Sequence, residues 1–291
     1  MDIRWHVSVA TSCVYAVGEL LRGRPLADDA LAARLAEPAE IFRSECAAHG
    51  VDSLTLLDHL TAISVEPCGI EEQARVAIRK AGGELRVAAM LPVISSWLRQ
   101  IQSLFLEVHP RALDDLELRA APLREQWEAR GPGLLHSLKA TIDEELVAES
   151  ADVVLVQPVL GGGGVAHISY NRVSFEAVLA NPRGELPEVM RVGWLLAQLH
   201  LDLPTAQGNL PRWRVFDIGA LALVPAILTA GHDVELCGPL EPILPIAFAT
   251  WRLPNHDQDA LSAWWETYRL ERPAWHTALA ALDRLLADEA S

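Results

Sequence analysis

What this chain lacks narrows it first. Of 291 residues only four are cysteine (Cys13, Cys46, Cys68 and Cys237), and no two of them form a CxxC pair. That spacing signals neither a zinc knuckle nor a disulfide framework, and it suits a reducing, cytoplasmic setting. Positive charge is scarce as well: 24 Lys and Arg face 39 Asp and Glu, a formal net charge of -15. Such a surface repels the phosphate backbone that supplies most nucleic-acid affinity, so neither nucleic acid nor an anionic membrane is expected as a partner. No apolar run approaches the roughly 20 residues of a membrane span. The stretch 7-VSVATSCVYAVG-18 comes nearest to a leader peptide, yet Ser, Thr and Cys interrupt it and charged 19-ELLRGR-24 follows at once. It reads as a buried helix.

What is present points to an α-rich globular protein. Hydrophobic residues make up 51% of the chain, ample for a sizeable core. Residues 1–82 read as a helical N-terminal region broken at Pro25, Pro38, Gly50 and Pro67, with Asp52 or Ser53 capping 53-SLTLLDHLTAI-63 and Gly82-Gly83 marking the end. In 83–291 the clearest helix follows Pro92, where Ile94, Trp97, Leu98, Ile101, Leu104, Phe105 and Val108 form one apolar stripe. Helices at 122–130 and 133–147 are expected on either side of 131-GPG-133. Further helices are expected at 186–200, 216–230, 256–269 and 273–288.

Between them the texture changes. Residues 152-DVVLVQPVL-160, 165-VAHISY-170 and 173-VSFEAVLA-180 are β-branched or alternating and are bounded by turn residues, which predicts three short strands in a small, mostly antiparallel sheet at 152–180. A loop follows at 181–185, and 232-HDVELC-237 reads as a further short strand. The fold class is α+β, predominantly helical.

Gly161 to Gly164 sit between two of these strands and invite a phosphate-loop reading. A P-loop needs Lys and Ser or Thr after its last Gly, and a helix whose N-terminus faces the phosphate. Val165-Ala166-His167-Ile168 supplies neither, and the helix of a dinucleotide fingerprint is missing too. No cofactor motif remains, and the glycines read as a turn or a strand edge that lets another backbone come close.

The order of elements around 93–235 resembles the core of zincin-type metallopeptidases of the gluzincin kind: backing helices, a strand, a Gly-rich connection, an edge-like strand, then 186-LPEVMRVGWLLAQLH-200. In that family the corresponding helix bears HExxH, two zinc-gripping His one turn apart and a Glu that activates water. Here the matching positions are Trp194, Leu195, Leu196, Ala197 and Gln198, so both ligands and the Glu are gone. Asp217 lies near the place of an acidic third ligand. The resemblance therefore implies a metallopeptidase-like scaffold without its chemistry, a pseudoenzyme.

Along that helix Val189, Val192, Leu196 and Leu199 form an apolar row, opposite Glu188, Arg191, Gln198 and Asp202. Trp194 and Gln198, one turn apart, border the polar face and could line a shallow cleft, the ring as a platform and the amide as donor and acceptor. An aromatic at helical spacing is ordinarily core, which would put Trp194 inside and Gln198 in solvent. Candidate cleft residues are thus Trp194, Gln198, His200 and Asp217.

Other chemistry is weakly signalled. His200, Asp217 and His232 include metal-ligand types without diagnostic spacing, and they would be the site of a metal-dependent hydrolase, the competing reading. His167 reads as a half-buried polar strand residue. No GxSxG elbow exists, Ser95 and Ser96 fall inside an amphipathic helix, and Cys237 lacks a local base beyond His232. Nine tryptophans are many, and Trp264, Trp265 and Tyr268 read as core or as a contact between domains or subunits, such as a homo-oligomer would have. The expected role is a non-catalytic scaffold or interaction module with a protein or peptide partner.

Overall fold

The computed structural model describes residues 1–179, 183–254 and 256–288. Residues 180–182, where the sequence places the end of a strand and the start of a loop, lie outside the described residues.

Four strands form the sheet: β1 (Asp2–Val7), β2 (Ser150–Val156), β3 (Gly164–His167) and β4 (Arg172–Glu176), in the order β1-β2-β4-β3. β2 shows why the middle of the chain is so aliphatic. Val153 and Leu155 face one hydrophobic core while Val154 and Val156 face another, so the strand is buried on both sides. A strand covered on both faces cannot alternate with polar residues.

The sheet is mixed and mostly parallel, not mostly antiparallel as the three closely spaced strands suggest. β1 and β4 both run parallel to β2, and only β3 and β4 are antiparallel. The chain leaves β2, skips one strand position through the Gly-rich connection, and lays β3 at the edge. It then turns at Asn171, held in the left-handed region at φ 49°, and slots β4 into the gap. The hairpin is real, but its second strand is the inner one.

Helices cover both faces. On one side lie α1 (Val9–Leu21), α2 (Asp29–Ala48), α3 (Ser53–Ile63), α4 (Ile70–Gly82) and α5 (Glu84–Val108). Ser8, Asp28 and Asp52 cap the first three by accepting from backbone N–H groups of the first turn. α4 and α5 pack together across Gly82-Gly83, and β1 joins the sheet, so apolar contacts run across residue 82. α1 is the buried helix that the leader-like stretch predicts.

On the other side lie α6 (Ala112–Thr141), α7 (Glu188–Ala197), the short α8 (Pro204–Gln207), α9 (Arg212–Asp233), α10 (Leu240–Thr250), α11 (Gln258–Glu271) and α12 (Trp275–Asp288). Punctuation residues mislead here. α5 runs through Pro92 and begins eight residues before it, and α6 is one helix through Pro122 and Pro132. Each interior Pro removes one hydrogen bond, but Leu116, Leu123, Trp127, Leu134, Leu135 and Leu138 hold α6 on the core, each fully buried Leu contributing roughly 1.5–3 kcal/mol. α10 was not foreseen, and 232–237 is no strand: His232 and Asp233 end α9 and a turn follows.

α9 is, by length and composition, long and apolar enough to cross a membrane, against the expectation of no such run, and 78% of its apolar window is buried inside the protein. Trp264, Trp265 and Tyr268 are buried as core residues: Trp264 and Tyr268 pack against Trp275, and Trp265 stacks on Tyr268.

Candidate functional site

The glycine segment binds an anion, and the anion is internal. The Glu176 carboxylate, at the end of β4, accepts from the N–H groups of Val159 (3.0 Å) and Leu160 (2.7 Å) on one oxygen and of Gly162 (2.7 Å) and Gly163 (2.9 Å) on the other. Four convergent amides would otherwise be buried without acceptors. Gly162 has no room for a side chain, since a Cβ there would stand 2.2 Å from the Thr250 carbonyl oxygen of α10, and its φ is 146°.

Arg191 ties α7 to the same loop. Its guanidinium donates to the carbonyls of Gly163 and Glu176, pairs with Glu188 and lies 4.0 Å over the Phe175 ring. The polar face of α7 expected from the sequence is therefore buried and satisfied internally. Burial pushes the Glu188 carboxyl above its ordinary value, and Arg191 partly offsets that rise.

This anchoring sets β3 at the sheet margin with one edge open. The Glu176 N–H donates to the Gly163 carbonyl, and the register runs Gly164 opposite Phe175 to His167 opposite Arg172. Hydrogen-bonded and non-bonded pairs alternate along an antiparallel ladder. The N–H and C=O groups of Gly164 and Ala166 consequently point away from β4, on the outer side of the sheet. Gly164 also lets β3 sit down on α7, as a Cβ there would come within 2.6 Å of Leu195 Cδ1.

That open edge faces a cleft of about 480 Å³. Its lining includes Gly164, Val165 and Ala166 of β3, Trp194 of α7 with Gln198 just past its end, and Asp217 with Ala220 of α9. Three of the four residues singled out from the sequence thus share one cavity. Trp194 is 6% exposed, its Nε1–H donates to the Ala220 carbonyl at 2.8 Å, and its ring stacks on Trp251 at 5.5 Å. Gln198 is 8% exposed and donates back to the Trp194 carbonyl. Core and cleft are not alternatives here: both side chains are buried by protein on most sides and present the remainder to the cavity. Asp217 opens to the cleft; partial burial raises its carboxyl above the ordinary value, while Arg214 and His256 pull it back.

The fourth, His200, does not belong. Its Nδ1 lies 2.7 Å from the Glu145 carbonyl, outside the cleft lining. His232 is engaged elsewhere, with the Cys237 carbonyl at 3.3 Å. His200, Asp217 and His232 do not converge, and among the described residues no group of three His, Cys, Asp or Glu could hold a metal ion.

Sequence reasoning missed the basic rim. Arg22 and Arg24 reach the cleft from the end of α1, Arg214 from α9, and Arg252 and His256 from the segment after α10. Nothing in their spacing connects positions 22, 214 and 252.

A second polar constellation lies on the opposite face of the sheet. His167 Nδ1 is 2.7 Å from Asp58 and its Nε2 is 2.9 Å from Ser174 Oγ, an order of contacts shared with hydrolytic triads. A carboxylate only accepts, so Nδ1 donates. His167 is fully buried rather than half-buried, and Ser174 is 0% exposed in mid-sheet and lines no cavity described here. With the hydroxyl shut off from solvent, these contacts fasten β3 and β4 to α3. Burial alone would raise the Asp58 carboxyl, but the His167 charge and hydrogen bond outweigh it and hold the group below its ordinary value.

Compared with known proteins, the chain has no significant match to a family model, a curated protein or a solved structure.

Proposed function

We propose that this protein is a non-catalytic interaction module that binds an extended peptide in the cleft between β3, α7 and α9 and leaves it uncut. The observation that carries this reading is the free edge of β3: two residues, Gly164 and Ala166, aim unpaired backbone donors and acceptors into a cavity floored by Trp194. An added strand satisfies such an edge through main-chain hydrogen bonds, with pockets for alternate side chains. Trp213, 65% exposed and one helical turn before Asp217, extends the same face of α9 outward with apolar surface.

The same layout supports a degenerate metallopeptidase-like scaffold. A lone antiparallel edge strand borders the cleft, a helix runs beneath it, and an acidic residue stands across. In place of zinc ligands the helix offers Trp194 and Gln198, and Leu195 lies under the strand where a water-activating Glu would be required. Indole has no lone pair for a metal, and an alkyl group takes no proton.

The test uses a random peptide library selected on the immobilised protein, then Ala166→Pro. Proline is tolerated on an edge strand where the N–H faces outward, so the variant keeps its pairing with β4 but loses one donor to the ligand. Selected peptides should bind it roughly tenfold more weakly, about 1.4 kcal/mol. Equal binding to the folded variant, or no peptide enriched at all, would sink the reading.

A further inference from the structure

We infer that the peptide taken by this cleft carries an acidic side chain, read by Arg252 with Arg24 at the point where the cleft opens into a second cavity. The inference rests on the peptide reading above and names its substrate class. The whole chain is acidic, at a net charge of -15, yet four arginines converge on this one rim.

Three of the four are already committed. Arg22 and Arg24 share the buried Glu19 carboxylate, at 3.2 and 3.1 Å, and Arg214 pairs with Asp283. Arg252 has no hydrogen-bond or ion-pair partner among the described residues. It also occupies a costly backbone position, φ 56°, just past the end of α10, where a helix stop ordinarily holds Gly or Asn. Arg252 therefore lines both cavities from a backbone conformation that its own residue type disfavours.

Location decides what Arg252 can read. A second cavity, about 700 Å³, shares Arg24, Arg252, Leu253 and Pro254 with the cleft. An extended chain running along β3 and on into the second cavity thus passes the Arg24 and Arg252 that line both. A site at mid-path meets a side chain, not a chain end. Arg252 offers a planar fork of donors that suits a carboxylate, and Arg24, with one nitrogen on Glu19, retains others for the same group. The buried Glu19 remains neutralised by Arg22 when Arg24 turns part of its charge to the ligand.

The experiment selects the random peptide library on the wild-type protein and on Arg252→Gln, which keeps polarity and breaks no hydrogen bond or ion pair among the described residues. Expected is enrichment of Asp or Glu at one fixed position in the wild-type pool, lost in the variant pool, with the apolar positions unchanged. A resynthesised peptide should bind Arg252→Gln at least about tenfold more weakly, by the loss of a charge-assisted contact, and lose the same factor when its acidic residue becomes Gln. Peptides enriched without an acidic position, or with one insensitive to Arg252→Gln, overturn this inference and leave the peptide cleft standing. Affinity that depends on a free C-terminal carboxylate, abolished by amidation, overturns it too. An empty selection removes both readings.

Discussion

Replacing Glu176 by Gln tests whether the glycine segment is built around this one carboxylate. The native group accepts four backbone N–H donors at 2.7–3.0 Å, two on each oxygen. Glutamine keeps one accepting oxygen and puts an NH2, itself a donor, in the other place. Whichever way the amide turns, either the Val159 and Leu160 pair or the Gly162 and Gly163 pair loses its acceptor. Each buried donor left unpaired costs about 1–3 kcal/mol, so the variant should lose roughly 2–6 kcal/mol. Typical domains have only about 5–15 kcal/mol in total. Urea denaturation followed by tryptophan fluorescence measures the loss as a lower midpoint at unchanged slope. Hydrogen exchange should locate it, with one amide pair of the loop released and the β2 amides kept. A loss below about 1 kcal/mol together with unchanged loop protection would refute the cradle.

Two further outcomes bear on the scaffold and on its pH response. Trp194→His with Leu195→Glu and Gln198→His puts two imidazoles one turn apart in the cleft with Asp217; a folded triple variant should retain stoichiometric zinc through desalting, and a folded but zinc-free one would remove the metallopeptidase resemblance. Losing the Trp194 stack on Trp251 costs about 0.5–1.5 kcal/mol beyond the lost burial, so circular dichroism must accompany that measurement. Asp58→Asn keeps an acceptor for His167 but not its charge. Because the folded Asp58 carboxyl sits below its ordinary value, its stabilisation is present above the unfolded value near ~3.9 and is lost as pH falls through that range and below. Melting temperature should therefore drop more steeply between pH 6 and 3 in the wild type than in the variant; parallel curves would count against the charged pair.

Much of the helical frame was legible. The 53–63 helix, its Asp52 cap, and the stripe from Ile94 to Val108 follow from spacing alone, because a helix that buries one face must repeat its apolar residues. Errors clustered at Pro and Gly. Pro92, Pro122 and 131-GPG-133 read as boundaries, yet each lies inside a helix whose packing outweighs one missing hydrogen bond. The unbroken aliphatic run of β2 carried a clue to a parallel, doubly covered strand; the apparent hairpins around it pointed the other way.

Trp194 and Gln198 could be chosen together from the sequence because they stand one helical turn apart, and packing of α7 against α9 brings Asp217 to the same cavity. His200 fell with them in sequence but not in space, since the last turn of α7 tightens and turns its ring to Glu145. Arg24 and Arg252 were invisible for a plainer reason: residues 228 positions apart along the chain meet only after the sheet and its two helical layers close around them.

The sequence by itself determined the apolar faces that build the two cores, the caps, the absence of a phosphate-binding context after Gly164, and the absence of an HExxH motif. Those are local facts, fixed by side-chain type and spacing. Tertiary structure alone decided that the glycine segment folds its amides around Glu176, that β3 becomes the outer strand with a free edge, and that Arg252, without a hydrogen-bond or ion-pair partner among the described residues, lines the cleft beside it. Strand order, a shared cavity and the partners of a buried charge depend on contacts between distant segments, and no local pattern in the chain encodes them.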